Sequence, residues 1–404
     1  MKQVWKSVKL CDVSSFHGGS QPPKSQFISQ PRNGYVRMLQ IRDFSREDKA
    51  VYIPISSKIR TCKADDILIG RYGASVGQIH RGMEGAYNVA LIRTNPDTGL
   101  IDRGYFYYFL ISGLFQSPLA KISITRSAQA GFSKEDISDI EVPLPPLPVQ
   151  NRIVAILDEA FAAIGQAIAN TERNLKNARE LFESYLNDVF TRKGEGWTIE
   201  LLDNVCNKIQ DGAHHSPQVL YSSQGHNLFP YLTSKNIRKG YLKLDKVDYC
   251  DASFHEEIYP RCNPELGDVL LTKDGANTGN VTINTLNEPF SLLSSVCLIK
   301  PDRTKLVPQF LVYYLWSQEG FKQITGQMTG AAIKRIILKT IKASVIPRPL
   351  ISVQEQVVYE LDALLAKTQI IENIYQQKLK VLTELKQSIL QKAFTGELTD
   401  DLPL

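Results

Sequence analysis

One passage of this chain occurs twice, 204 residues apart, and each time it leads into a long segment with an apolar seam. Pro143-Leu144-Pro145-Pro146-Leu147-Pro148-Val149-Gln150 precedes the first segment, and Pro347-Arg348-Pro349-Leu350-Ile351-Ser352-Val353-Gln354 precedes the second. The register holds far downstream, with Leu157-Asp158 falling on Leu361-Asp362, Leu175 on Leu379, and Phe190-Thr191 on Phe394-Thr395. Solenoid repeats recur every ~20–50 residues, so this period belongs to a duplicated unit made of a domain plus a helix. Such a chain holds two similar bodies and two similar rods.

The rods follow from side-chain spacing. Ile153, Leu157, Ala160, Ile164, Ala167, Thr171, Leu175, Ala178, Phe182, Tyr185 and Val189 recur at steps of three and four. Adding 204 gives Val357, Leu361, Leu364, Thr368, Ile371, Tyr375, Leu379, Leu382, Lys386, Ile389 and Ala393, a seam broken only by Thr171, Thr368 and Lys386 across both sets. This is the knobs-into-holes rhythm of a coiled coil, and the shared 4,4 step is a stutter that locally unwinds it. About 40 residues at ~1.5 Å each make a rod of roughly 60 Å. One rod alone would leave its stripe in water. Two in one chain bury their stripes against each other, and because each leaves and returns through a globular block, the pairing is expected to be antiparallel. The prolines set where each rod begins, since proline fixes φ and biases its neighbour towards extended backbone.

Each block opens on a tryptophan-led strand signal, Trp5-Lys6-Ser7-Val8-Lys9-Leu10 and Trp197-Thr198-Ile199-Glu200-Leu201-Leu202. Each then shows a short apolar run entering a turn bounded by paired glycines, Asp66–Gly77 in one and Asp268–Gly279 in the other. Such runs read as a buried strand followed by a tight turn. A helix signal follows in both, Tyr105–Leu110 matching Phe310–Leu315. The expected fold is therefore mixed α/β: two similar globular domains at residues 1–148 and 193–348, with helical spacer regions at 149–192 and 349–404.

Charge adds a direction. Residues 1–148 carry 19 Lys and Arg against 13 Asp and Glu, and residues 197–348 carry 17 against 14, while both helical segments are slightly acidic. Positive charge on the globular blocks suits a polyanion. No run of 18 apolar residues and no signal-peptide core is present, so the expected location is the cytoplasm, with no membrane partner. The six cysteines form no C-x-x-C pair, which points to reduced thiols rather than a disulfide or zinc framework.

These motifs resemble the specificity subunits of type I restriction-modification enzymes over nearly the whole chain. The resemblance is carried by Pro143–Val154 and by the tail Ser388-Ile389-Leu390-Gln391-Lys392-Ala393-Phe394-Thr395-Gly396-Glu397-Leu398, with weaker support from the Gly73–Gly77 and Gly275–Gly279 turns. The first copy departs from the family's helix end at Thr191-Arg192-Lys193-Gly194-Glu195, and Pro347-Arg348-Pro349-Leu350 lacks the double proline. The resemblance implies two target recognition domains, each reading one half of a split, asymmetric double-stranded DNA site. It further implies helices that space the readers and dock two methyltransferase subunits, and endonuclease/translocase subunits that join them. No cofactor is expected in this chain; S-adenosylmethionine, ATP and Mg belong to those partners. The physics is compatible, because half-sites on B-DNA lie at spacings set by its ~34 Å turn and need rigidly held readers.

Basic and amide residues in loops are the candidate DNA contacts. They are Lys24, Arg71, Tyr72, Arg126, Gln129 and Lys134 in the first block, and His214, His215, Lys235, Asn236, Lys273, Lys334 and Arg335 in the second. Arg or Lys pairs with guanine O6/N7 and Asn or Gln with adenine N6/N7, and the remainder hold phosphates. The seam positions that define the helix pair are Ile153, Leu157, Ile164, Leu175, Phe182, Val357, Leu361, Ile371, Leu379 and Ile389.

Catalytic signatures are not met. Asn287-Glu288-Pro289-Phe290 imitates the N-P-P-F of adenine methyltransferases, but Glu replaces the first proline and no Gly-rich cofactor loop precedes it. Glu384-Leu385-Lys386 imitates a nuclease E-x-K with its lysine in the seam, and no phosphate-binding G-x-x-x-x-G-K-[ST] loop exists. His214-His215 and Cys250…His255…Cys262 lack metal-ligand spacing. Two rivals are a coiled-coil assembly adaptor that does not read DNA, against which the charge split and duplicated loops argue, and a catalytic fusion, which this length cannot accommodate.

Overall fold

A computed structural model describes residues 5–46, 48–125, 131–326 and 335–398. It divides into two compact units, Met1–Glu172 with Gln377–Leu404, and Arg173–Gln376. Each unit therefore contains one globular block and part of both long helices.

The first unit runs β1 (Lys6–Lys9), α1 (Leu10–Val13), β2 (Ser14–Gly18), β3 (Tyr35–Leu39), β4 (Tyr52–Pro54), β5 (Thr61–Cys62), β6 (Leu68–Gly70), β7 (Ile79–His80), β8 (Gly85–Tyr87) and β9 (Leu91–Pro96). Helices α2 (Arg103–Ile111), α3 (Gly113–Thr125) and α4 (Lys134–Ile137), strand β10 (Glu141–Leu144) and the start of helix α5 (Leu147–Arg192) follow, and the end of the second long helix completes it. Two four-stranded sheets form, in the orders β2-β9-β6-β7 and β4-β3-β8-β5. The proline-rich run does more than start a helix. Its first half is β10, paired antiparallel with the tryptophan-led β1 so that Ser7 faces Pro143 and Val8 faces Val142. Proline suits such a two-stranded ribbon because it removes a donor that only an interior strand requires.

The second unit repeats the plan. Its strands are β11 (Thr198–Leu201), β12 (Cys206–Asp211), β13 (Leu228–Leu232), β14 (Ile237–Arg238), β15 (Tyr241–Leu242), β16 (Asp248–Asp251), β17 (Val269–Thr272), β18 (Val281–Ile283), β19 (Ser291–Leu292), β20 (Val296–Pro301) and β21 (Val345–Arg348). Its helices are α6 (Ala252–Cys262), α7 (Pro308–Trp316), α8 (Gln318–Thr325), α9 (Leu338–Ala343), the end of α5 and the start of α10 (Ile351–Thr395). β11 pairs antiparallel with β21, and the sheets β12-β20-β17-β18 and β16-β13-β19 correspond to the two sheets of the first unit.

Both units hold their helices in the same way. The repeated glutamine is fully buried and bonds only backbone: Gln150 accepts from Asp102 N at 2.7 Å and donates to Leu100 O at 3.0 Å and Pro145 O at 2.8 Å. Gln354 accepts from Val307 N at 2.8 Å and donates to Lys305 O at 2.9 Å and Pro349 O at 3.0 Å. About two turns further on, Tyr108 donates to Asp158 and Tyr313 to Asp362, which drives both phenol pKa values up through burial and then through the carboxylate acceptor. A phenylalanine closes each unit from the other side. Phe394 packs on Tyr105 and Phe109 in the first, and Phe190 packs on Phe310, Tyr314 and Trp197 in the second. In each unit the start of one long helix thus meets the end of the other, which makes the pair antiparallel.

The seam is buried at Ile153, Leu157, Ile164, Phe182 and Leu361, and half-buried at Leu175, Val357, Leu379 and Ile389. Two positions are corrected. Ile371 is 39% exposed, because after Thr368 the inward position passes to Glu372, which meets Arg179 at 3.0 Å. Tyr185 also turns outward to Glu360, at 2.8 Å, and Leu186 takes its place in the core. The polar seam residues have local partners: Thr171 donates to Ala167 O at 2.6 Å, and the Lys386 ammonium lies 4.7 Å over the Phe161 ring. By length and composition α5 is also apolar enough to cross a membrane. Its buried side chains here face protein.

Candidate nucleic-acid interface

Three loops meet at one edge of each unit, and the backbone frame is the same in both. The first follows β2 and β12. A Cβ on Gly19 would lie 2.0 Å from Asn88 O, and one on Gly212 would lie 2.1 Å from Leu292 O, so only glycine fits. The next residues form parallel bridges, Ser20 with Asn88 and Ala213 with Leu293. The second loop follows β3 and β13. There Asp43 accepts from Gln40 N at 2.6 Å and Asn236 accepts from Thr233 N at 3.0 Å, which leaves the intervening Arg42 and Lys235 exposed. The third follows β6 and β17. Gly77 and Gly279 adopt φ of +78° and +90°, and Tyr72 bridges Gly131 where Asp274 bridges Arg335. These frames align Gln21 with His214, Arg42 with Lys235, Arg71 with Lys273 and Tyr72 with Asp274.

In the first unit this edge keeps its cations bare. Among the described residues Lys24, Arg42, Arg60 and Arg71 have no carboxylate within ion-pair distance. Arg71 is half-buried, donating to Phe132 O at 2.7 Å with its guanidinium 5.0 Å over the Tyr72 ring. Lys24 and Lys134 are exposed, the latter 3.6 Å from Glu135. His17 beside them is held below the usual imidazole range by burial and by the neighbouring Arg93 and Arg60.

The second unit ties most of its edge cations to carboxylates instead. Asp211, at the end of β12, is 7% exposed and meets Lys273 at 2.9 Å, Arg261 at 2.7 Å and His214 at 3.6 Å. Burial raises its carboxyl, but the bonds from Lys273 and Arg261 outweigh burial and leave it below the ordinary carboxylate value. Arg335 pairs with Asp274 at 2.7 Å, and His215 sits 3.3 Å from Glu257 and edge-on to Phe254. Lys235 is exposed.

Two expected contacts are therefore corrected. Lys273 is 5% exposed, and its ammonium is spent on Asp211. Asn236 is 4% exposed and braces its own loop, donating to Lys243 O at 3.1 Å and Lys246 O at 3.3 Å. Both side chains are committed to bonds within the fold. Arg126, Gln129 and Lys334 lie outside the described residues. Sequence reasoning passed over Gln21, Gln40, Arg42, Asn88, Asp211 and Arg261. Only Asp211-Gly212 carried a signal, an acid beside a glycine at a strand end.

Comparison with known proteins agrees with this architecture. A family model for the type I restriction modification DNA specificity domain matches residues 2–174 and again 196–380. The chain is 23% identical to the EcoBI specificity subunit of Escherichia coli, covering 98% of this chain and 86% of that protein. It is 22% identical to the MjaVIII specificity subunit of Methanocaldococcus jannaschii, covering 98% and 93%. Among solved structures, a chain from work on complex assembly and conformational transition of the type I R-M system superposes with a TM-score of 0.78 at 18% identity, over 97% of this chain and 98% of that one. The HsdS subunit from Thermoanaerobacter tengcongensis gives 0.59 at 18% identity, over 98% and 97%. With both matched segments falling on the two repeated frames, this chain belongs to the type I restriction-modification specificity-subunit family and serves in DNA sequence recognition.

Proposed function

We propose that the chain is the non-catalytic reader of a larger cytoplasmic restriction-modification assembly. The block at residues 1–148 reads one half of a bipartite asymmetric duplex target and the block at 193–348 reads the other. The helical regions at 149–192 and 349–404 fix the gap between them and seat two methyltransferase subunits. S-adenosylmethionine is used by those subunits, and ATP and Mg by endonuclease/translocase subunits that complete the enzyme. The observation that carries this reading is one backbone frame built twice with different side chains at its edge. Such a pair calls for two unlike DNA sequences rather than a palindrome. Helices of 46 and 45 residues supply a strut stiffer than any flexible linker. Ile370 and Ile374, 60% and 54% exposed on one face of α10, supply apolar surface for a protein partner.

The test removes one heptad from residues 153–189 together with the facing heptad of α10, and maps methyl-adenine across the host genome. The expected result is an altered gap between unaltered half-site sequences. An unchanged gap refutes the spacer role.

A further inference from the structure

We infer that an open cavity on the first unit is where that unit recognises base identity, with Gln21, Gln40, Arg42 and Asn88 setting its half of the target and Lys24 holding backbone phosphate. This rests on the DNA-reading function proposed above. The cavity measures about 450 Å³ and is floored by Phe27 and Met38. Its polar residues come from three separate stretches. Ser20 N donates to Tyr87 O at 2.9 Å, and Asn88 N donates to Leu39 O at 3.1 Å, which draws the loop after β2, the turn after β3 and the end of β8 together.

The chemistry of the lining is selective. Among the described residues, the Gln21, Lys24 and Arg42 side chains bond to no other protein group. Asn88 commits its carbonyl oxygen to Ala90 N at 3.2 Å, which leaves its amide hydrogens to donate. Among the described residues no carboxylate lines the cavity. Carboxamides match the N6/N7 edge of adenine and Arg matches O6/N7 of guanine, whereas the N4 donor of cytosine needs an acceptor such as Asp or Glu. Three carboxamides and two cations, the polar groups of the described lining, therefore favour purine edges in the major groove.

The second unit supplies the internal control. Its frame is retained at Gly212, at the Ala213–Leu293 bridge and in the Asn236-braced turn. Yet Gln21, Gln40, Arg42 and Asn88 are replaced there by His214, Thr233, Lys235 and Leu293. Backbone kept and rim exchanged is what two unlike half-sites demand.

The experiment uses the full-length chain in the complex purified from its own cells, selecting from a randomised duplex pool that is then sequenced. Gln40→Ala and Arg42→Ala are each expected to lose about 5- to 150-fold discrimination at one or two base pairs of a single half-site, with the other half-site unchanged. Lys24→Ala should weaken binding evenly and leave the chosen sequence alone. The triple exchange Gln21→His, Arg42→Lys and Asn88→Leu should redirect the sequence at that half-site. Even weakening by Gln40→Ala and Arg42→Ala, with both half-sites intact, would overturn the assignment. So would a wild-type complex that selects a split site which every variant still selects. A wild-type complex that selects no sequence would instead sink the DNA-reading function itself.

Discussion

Position for position, Gly18 of the first unit corresponds to Asp211 of the second, Arg71 to Lys273, and Tyr72 to Asp274, and these exchanges reverse the electrostatics of one shared frame. Around Gly18 the arginines keep their charge. Around Asp211, Lys273 and Arg261 are bound into a network whose centre is nearly dry. Asp211 offsets one of those two positive charges and ties both side chains into the fold. The first unit holds its edge with hydrogen bonds to backbone carbonyls, such as Arg71 to Phe132 and Arg60 to Gly18 at 2.7 Å. The second holds its edge with ion pairs. The same shape is reached by two chemistries, and the second ties Lys273, Arg261 and Arg335 to carboxylates while Lys235 stays exposed.

The sharpest way to break that comparison is Asp211→Ala. It leaves Lys273 buried without its partner, and losing one member of a buried pair costs about 3–5 kcal/mol. Gly18→Ala, at the matching position, meets nothing closer than an Arg71 nitrogen at 3.8 Å and should stay within ~0.5 kcal/mol of the parent. Urea unfolding resolves the two, with Trp197 and Trp316 reporting the second unit and Trp5 the first. The network also has a pH signature. Because the Asp211 carboxyl is depressed in the folded state, its stabilisation is present above the ordinary carboxyl range and is lost as pH falls through the folded value. The alanine variant should lose that acid limb. Equal losses for Asp211→Ala and Gly18→Ala would mean that the two edges are built alike after all.

Gln150→Ala and Gln354→Ala sharpen the comparison from its symmetric side. Each removes three bonds to buried backbone groups, so each should cost about 2–3 kcal/mol at ~1 kcal/mol per bond. The two losses should agree, because the partners and distances agree. Hydrogen exchange at the start of α2 and of α7 measures them separately. A loss confined to one unit would show that the duplicated lock supports only one of them.

What the sequence disclosed divides along the same line. The duplicated elements were legible because each leaves a local pattern: the proline run, the paired glycines, the three-and-four rhythm of the helices. The differences between the copies were not. Lys273 reads as a free loop lysine until Asp211, 62 residues earlier, is seen beside it. Asn236 reads as a base reader until its amide is found closing its own turn. The seam slipped by one residue at Ile371 and Tyr185 because steps of three and four are both allowed, and the pairs Arg179–Glu372 and Tyr185–Glu360 decide between them. Gln21, Gln40 and Asn88 carried no signal, since a parallel bridge from Ser20 to Asn88 and a bond from Asn88 N to Leu39 O bring these distant stretches together.

The smallest expected effect concerns salt. Each phosphate neutralised on duplex DNA adds about 0.9 to the steepness of log affinity against log salt. Removing the bare cation with Lys24→Ala should therefore reduce that slope by about 0.9, or roughly three- to fourfold in affinity across a fourfold change in salt. Removing a neutral pair as a unit, with Asp274→Ala and Arg335→Ala together, should leave the slope where it was. The Arg335 side chain is 62% exposed, and an ion pair that open to water contributes only ~0–1 kcal/mol, so the fold survives the double change. Titrating the complex against its target at two salt concentrations separates the variants. If the Asp274/Arg335 double variant flattened the slope as much as Lys24→Ala, Arg335 would be meeting phosphate despite its partner, and the contrast between a bare edge and a neutralised one would fail.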